Sequence, residues 1–420
     1  MSDAECDAAM RSLEHRVRAY ARLAVRQGVA VEKDQELVIT APVGAADFCR
    51  LVVSEGYKAG ASHVTVIWTD DVLRRLEFQS CPTSYFETCP SWKVEQMNSL
   101  AAQGACFLWI DGDDPDGLKG IDPVKPATAS RVRNASCKVW RHGLDFNQNA
   151  WSIIGVPQLP WARKVFPDLS DSEAMLRLWR AILDVSRVDD DPADAWATHD
   201  AAFEKAKRMM NGNHFDALHY QAANGTNLTI GMTAGHVWEG GSGRTTAGHK
   251  FFPNIPTEEV FTSPDRLRAD GVVHAAMPLV HDGSVIRDFW LRFEGGRVVE
   301  YAAGQGQDVL RHIIETDDSS CRLGECALIS KNTPIRESDL LFYSTLYDEN
   351  ASCHLALGTG FPECYEGGYD LTEDELLERG VNHSHTHVDF MIGTDDLAIT
   401  GIKATGEEVP VFVHGQWAWE

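Results

Sequence analysis

Near its C-terminus the chain reads Asn382-His383-Ser384-His385-Thr386-His387-Val388-Asp389, with three imidazoles and a carboxylate at every second position. A β-strand sends alternate side chains to opposite faces, so on a strand His383, His385, His387 and Asp389 share one face. Neutral imidazole and carboxylate are ligands of zinc, manganese, cobalt and iron. The spacing therefore points to metal chemistry, provided that other parts of the chain bring further ligands. The apolar run Phe390-Met391-Ile392-Gly393 reads as the buried continuation of the strand.

Three other stretches carry acids in unusual company. Glu258 and Glu259 lie between the Pro256 turn and the apolar Val260-Phe261, and alternation sends them to opposite faces, so one at most is expected to point inward. Glu325 stands in Gly324-Glu325-Cys326-Ala327-Leu328-Ile329, where burial of a carboxylate is costly unless a cation or a metal accompanies it. Asp348-Glu349 is followed by His354 at the head of the apolar run Leu355-Ala356-Leu357. A single ion needs about three protein ligands, whereas a pair of ions shares roughly six. The inventory suits two metals. No glycine-rich phosphate loop follows a strand, and no Gly-x-Ser-x-Gly elbow occurs.

The elements that must position these groups fall into two textures. Residues 8–28, 47–60, 93–103, 172–188 and 192–211 carry apolar residues at helical spacing, while 36–40, 63–68, 105–110 and 151–157 read as buried strands. That alternation predicts an α/β N-terminal domain with a parallel, doubly wound sheet over residues 1–212. From about residue 215 the pattern becomes turn-rich and alternating. Residues 217–221 and 228–232 flank Asn224-Gly225 as a hairpin, and strands are expected at 272–277, 285–292, 297–301, 340–346, 396–401 and 409–413. Residues 213–420 are thus expected to form an α+β C-terminal metal-binding domain rich in antiparallel strands.

With 420 residues, 44% hydrophobic and 24% charged, the chain has material for a large core. A net charge of −24 argues against nucleic-acid or anionic-membrane partners, which select for Lys and Arg. The acidic start Met1-Ser2-Asp3-Ala4-Glu5 and the lack of a long apolar window lead us to expect neither a secretion signal nor a membrane span. Ten scattered cysteines then read as reduced thiols in a cytoplasmic protein.

Taken in order, Phe252-Pro253-Asn254-Ile255-Pro256-Thr257-Glu258-Glu259-Val260-Phe261-Thr262, Gly324-Glu325, Asp348-Glu349-Asn350-Ala351-Ser352-Cys353-His354-Leu355-Ala356-Leu357-Gly358 and Asn382-His383-Ser384 to His387-Val388-Asp389-Phe390-Met391-Ile392-Gly393 resemble the motifs of the thermophilic-aminopeptidase family, peptidase family 29. The resemblance implies a homodimeric cytoplasmic exopeptidase acting on peptides, with two divalent ions (Zn, Co, Mn or Mg). The ligands it implies are Glu259, Glu325, Glu349, His354, His387 and Asp389, which selects Glu259 over Glu258. One position departs from the family. A tyrosine implied to assist at the reacting carbonyl is here Phe361, seven residues beyond His354, and phenylalanine has no hydroxyl to donate. Tyr365 is the candidate replacement.

On this reading an ion-activated water attacks the carbonyl of the N-terminal residue, with Glu258 or Glu325 as general base. Two alternatives use the same residues differently. His354, His387 and Asp389 also compose the facial triad of a non-haem Fe(II) ring-cleaving dioxygenase, and Phe361 is compatible with an inactive dimeric relative.

Overall fold

Apolar strands joined by amphipathic helices close into a fully parallel sheet in the first of two units. The computed structural model describes every residue except Asp190, Asp282, Gly283 and Glu420. The first unit comprises Met1–His199, Ser242–Pro256 and Leu340–Leu346. Its strands are β1 (Glu36–Pro42), β2 (His63–Thr69), β3 (Cys106–Asp111), β4 (Trp151–Gly155) and β5 (Asn254–Ile255), in the order β5-β4-β3-β1-β2. Leu37, Val38 and Ile39 are all at most 1% exposed, as a parallel strand covered on both faces requires. The helix Asp3–Leu23 starts from a capping box between Ser2 and Glu5, and Ala46–Ala59 stops at Gly60, whose φ of 108° suits glycine.

The expected strand at 340–346 is absent. Phe342 and Leu346 are buried without a ladder: the Trp161 indole donates to the Phe342 carbonyl at 2.5 Å, and Ser344 donates to Asp111 at 3.1 Å. Tyr343, at φ 56°, lies outside the extended region that a ladder needs. The division into units also differs from a single boundary near residue 212. Residues from Asp200 onward cluster with the second unit, while two later segments, 242–256 and 340–346, cluster with the first. Hydrophobic texture shows where helices give way to strands, but not where the chain returns.

The second unit comprises Asp200–Gly241, Thr257–Asp339 and Tyr347–Glu420. Phe215–Gln221 and Asn227–Met232 pair as the expected hairpin around Gly225, at φ 105°. They lie inside a nine-stranded antiparallel sheet, counted among the described residues, whose inward side chains include Leu218, Ile230, Phe289, Leu291 and Ile399. A second antiparallel sheet runs β9-β8-β7-β6 and then Glu239–Gly240, where β6 is Val260–Thr262, β7 Leu323–Leu328, β8 His354–Gly358 and β9 His387–Met391. All ten cysteines are free thiols. No helix among the described residues is long and apolar enough to cross a membrane.

Candidate metal centre

The register of the smaller sheet brings the acid and imidazole groups onto one face. Across β7, β8 and β9, Glu325 pairs with Ala356 and Ala356 with Asp389, forming one row. Directly opposed residues share a face, so the row places two carboxylates on either side of a methyl group. His354, two residues before Ala356, opposes Ala327, and His387 opposes Gly358. Small residues at 327, 356 and 358 leave the space that the imidazoles and carboxylates occupy. The register between Leu323 and Glu325 shifts at Gly324, and such irregularities re-aim neighbouring side chains. A Cβ at Gly324 would meet the Thr359 carbonyl at 2.2 Å, so the close approach beside Glu325 requires glycine.

Two groups of three result. Glu259, Glu325 and His354 offer ligand atoms all within 4.8 Å of one another, and Glu325, His387 and Asp389 do the same. Glu325 belongs to both. His354 Nε2 lies 3.2 Å from Glu259 Oε2, and His387 Nε2 lies 3.1 Å from both Glu325 Oε2 and Asp389 Oδ1. The opposite ring nitrogens face backbone carbonyls: His387 Nδ1 is 2.8 Å from the Thr359 oxygen and His354 Nδ1 is 3.3 Å from the Ser352 oxygen. An Nδ1–H donated to a carbonyl leaves the Nε2 lone pair aimed at the carboxylates, the orientation a metal-ligating histidine takes. Glu349 falls in neither triplet. It sits in the turn Glu349–Ala351 and is close enough for its charge to be felt together with those of Asp389, Glu259 and Glu325.

The electrostatics show what this cluster lacks. Burial, reinforced by the Glu259 charge, pushes Glu325 up to about 7, against the hydrogen bond from His387. Burial and the charge of Asp389 hold Glu349 well above the usual carboxylate range. Burial would lower His354, but the hydrogen bond and charge of Glu259 outweigh it and raise the ring to about 10. His387 is raised in the same way by Asp389, and Asp389 is drawn down to about 2 by His387 despite its own burial. Among the described residues no Lys or Arg pairs with Glu259, Glu325, Glu349 or Asp389. Four carboxylates with two neutral imidazoles carry a charge of −4, which two divalent cations cancel. Oxygen and imidazole donors without a thiolate suit divalent ions such as zinc, cobalt or manganese. Nearby Cys353 is pushed up to about 12 by burial and stays a neutral thiol. The donor set fits metal.

Several expected positions differ from the pattern that suggested them. His383 and His385 are exposed and precede β9, so the run of alternating histidines is not one strand. Both Glu258 and Glu259 are 8% exposed, because the segment before β6 is irregular and alternation does not apply. The Glu258 amide lies 2.7 Å from the side-chain oxygen of Asn350. Tyr365 is not brought to the ligand groups by any described contact. Cys364 and Glu366 bond to Val237 and Gly235, and the Tyr365 ring packs on Gly235 and 5.9 Å from Arg379. The nearer aromatic is Phe361, whose ring centroid is 4.9 Å from that of His387 and 5.6 Å from that of Phe261. Sequence reasoning missed Asp317, whose carboxylate bonds to the loop that leads into His387.

Imidazole and carboxylate converge on two overlapping triplets, each of which could hold a metal ion. The match to the thermophilic metalloprotease family (M29) spans residues 13–417, and the chain belongs to that family. Aminopeptidase AmpS of Bacillus subtilis (strain 168) is 42% identical over 411 residues, covering 98% of this chain and 100% of the relative. The solved structure of wild-type AmpT from Thermus thermophilus superposes with a TM-score of 0.90 at 37% identity, covering 97% of this chain and all of that one. The 2,5-dihydroxypyridine dioxygenase of Pseudomonas putida KT2440 matches at a TM-score of 0.51 and 9% identity over 100% of this chain and 99% of that one, a likeness of fold alone.

Proposed function

We propose that this protein is a two-metal aminopeptidase that removes the N-terminal residue of peptides, and that its second unit is the catalytic one. The observation that carries the reading is the pair of candidate triplets sharing Glu325, with no Lys or Arg among the described residues to balance their carboxylates. Glu259, Glu325 and His354 would hold one ion and Glu325, His387 and Asp389 the other, with Glu349 beside both. When bound, such a pair supplies a water acidified toward neutrality and a Lewis acid at the scissile carbonyl. The chain's own residues do the rest. Thr359 and Ser352 fix the two imidazoles by their Nδ1 atoms. Glu325 stands in both triplets and acts as a ligand, which leaves Glu258 as the base that takes a proton from the attacking water and returns it to the leaving amine. The free α-amino group of the peptide would bind at an ion or at a nearby carboxylate, and that limits cleavage to the terminal residue. The same reading includes a cytoplasmic homodimer, which sedimentation equilibrium tests.

The decisive experiment quantifies metal alongside a panel of aminoacyl anilides, before and after chelation. We expect two divalent ions per chain and loss of hydrolysis on chelation. Glu325→Gln and His354→Ala should each lose more than the roughly 100-fold that a change outside the ligand set brings. Either variant hydrolysing the panel as fast as the parent would refute the assignment. One iron per chain with oxygen uptake on a dihydroxypyridine would replace it with the dioxygenase reading.

A further inference from the structure

We propose that Asp317, which is not a ligand, is a positioning residue for His387 and sets the affinity of the Glu325–His387–Asp389 triplet for its ion. The inference rests on the two-metal reading above.

Asp317 lies between the helix Gln307–Ile314 and β7, in the polar stretch Asp317-Asp318-Ser319-Ser320. One oxygen does local work: Oδ1 accepts from the amides of Ser319 and Ser320, both at 2.8 Å. The other reaches far along the chain, since Oδ2 accepts from the Ser384 hydroxyl at 2.7 Å and from the His385 amide at 2.8 Å. An aspartate that merely shaped its own turn would need only the first pair.

From there the path to the imidazole is continuous. Ser384 Oγ lies 3.3 Å from the Thr386 amide. The Thr386 carbonyl accepts from Thr359 N at 2.8 Å, and the Thr359 carbonyl is the group facing His387 Nδ1, also at 2.8 Å. Asn382 runs a parallel tie. Its Nδ2 donates to the Ser319 carbonyl at 2.9 Å and to the Gly358 carbonyl at 2.6 Å, while Arg266 Nε donates to its Oδ1 at 3.2 Å. Loop 382–386 is thus fastened to the Asp317 turn on one side and to the end of β8 on the other. Thr359, the residue that fixes the His387 ring, sits between the two fastenings. His354 draws on none of this: its Nδ1 faces Ser352. The two imidazoles therefore rest on separate supports, although their triplets share Glu325, and a fault at Asp317 should reach the His387 triplet rather than the His354 one.

Asn at 317 keeps the size but has one acceptor oxygen, so at least one side of the clamp is lost. Outer partners of ligating histidines are worth about 10- to 100-fold in metal affinity. The test is a chelator-competition titration with Co²⁺ on the full chain, resolving two binding steps, with His387→Ala marking the step that belongs to its triplet. Asp317→Asn should weaken that step by about tenfold or more and leave the other unchanged, and excess metal should restore kcat. Ser384→Ala, which removes one hydroxyl and keeps the His385 amide bond, should do the same to a smaller degree and serves if Asp317→Asn fails to fold. Both steps unchanged, both falling together, or a kcat deficit that metal does not restore would overturn the proposal. A parent protein with fewer than two ions would instead overturn the two-metal reading, and this inference with it.

Discussion

Glu325 is the residue that joins the two triplets, and its neighbours show how little freedom the site has. It lies beside a glycine that tolerates no Cβ, opposite an alanine, and within 3.1 Å of an imidazole. Phe361 is the residue where this chain departs from the motif it resembles. Its amide is held by Ser263 Oγ at 2.9 Å and its ring lies against His387 and Phe261, so the position is fixed even though it offers no hydroxyl. Phe361→Tyr adds that hydroxyl on a ring already placed beside the centre. We expect kcat on aminoacyl anilides to rise by up to about a hundredfold, since one donor to a developing oxyanion is worth about that much, with KM little changed. Unchanged kcat would mean that the ring serves packing alone. At this scale the sequence was informative where chemistry is written in residue type. A glutamate among small and apolar residues, and a histidine heading an apolar run, stand out in any reading. Asp317 did not stand out, because an Asp-Asp-Ser-Ser turn looks like a solvated loop, and its decisive partners lie 67 and 68 residues away. The density of His383 and His385 misled for the complementary reason. Period-two spacing presupposes a strand, and the loop before His387 gives its hydrogen bonds to Asp317 instead.

At the scale of elements, the site depends on how β8 and β9 meet. Gly358 ends β8 opposite His387 with φ 113°, and a Cβ there would lie 2.0 Å from the Thr386 carbonyl. Gly358→Ala must therefore either strain the backbone by about 1–3 kcal/mol or push Thr386 away, and Thr386 is the residue that carries the Thr359 bond. Urea unfolding should show the loss of stability, and metal quantification should show fewer than two ions per chain. A variant with the parent's stability and metal content would mean that the strand ends adjust independently. The parallel strands of the first unit were legible because buried parallel strands are continuous apolar runs between amphipathic helices. The hairpin at Gly225 was legible because Asn-Gly is a turn with its own chemistry. Residues 340–346 were misread as a strand because Leu-Leu-Phe-Tyr satisfies the same apolar criterion. Only tertiary context shows that Trp161 and Asp111, rather than a neighbouring strand, take its polar groups.

At the scale of the whole molecule, every candidate ligand among the described residues belongs to the second unit of a chain whose net charge is −24. Bringing four carboxylates together in the second unit adds local repulsion that the two histidines only partly offset, so on the two-metal reading the candidate ligand sheet is held against its own charge until cations enter. Ions that bind the folded chain alone stabilise it by mass action, about 2.7 kcal/mol for each site at a hundredfold excess over Kd. Local unfolding should report this more sharply than a melting curve does, because stability is distributed unevenly over a fold. Chelation is expected to speed amide exchange in β7, β8 and β9, whose backbone carries Glu325, His354, His387 and Asp389, and in the 382–386 loop. Exchange in β1 and β3 of the parallel sheet should change far less, since none of the candidate metal-holding groups among the described residues lies in the first unit. Readdition of Zn²⁺ or Co²⁺ should restore protection, and Mg²⁺ should do so only at much higher concentration, because it prefers oxygen ligands and sheds its waters reluctantly. Equal acceleration in both sheets would show that the metal stabilises the chain as a whole rather than the sheet that carries its ligands. Exchange unaffected by chelation would show that the carboxylates are neutralised by protons, leaving the metal nothing to stabilise.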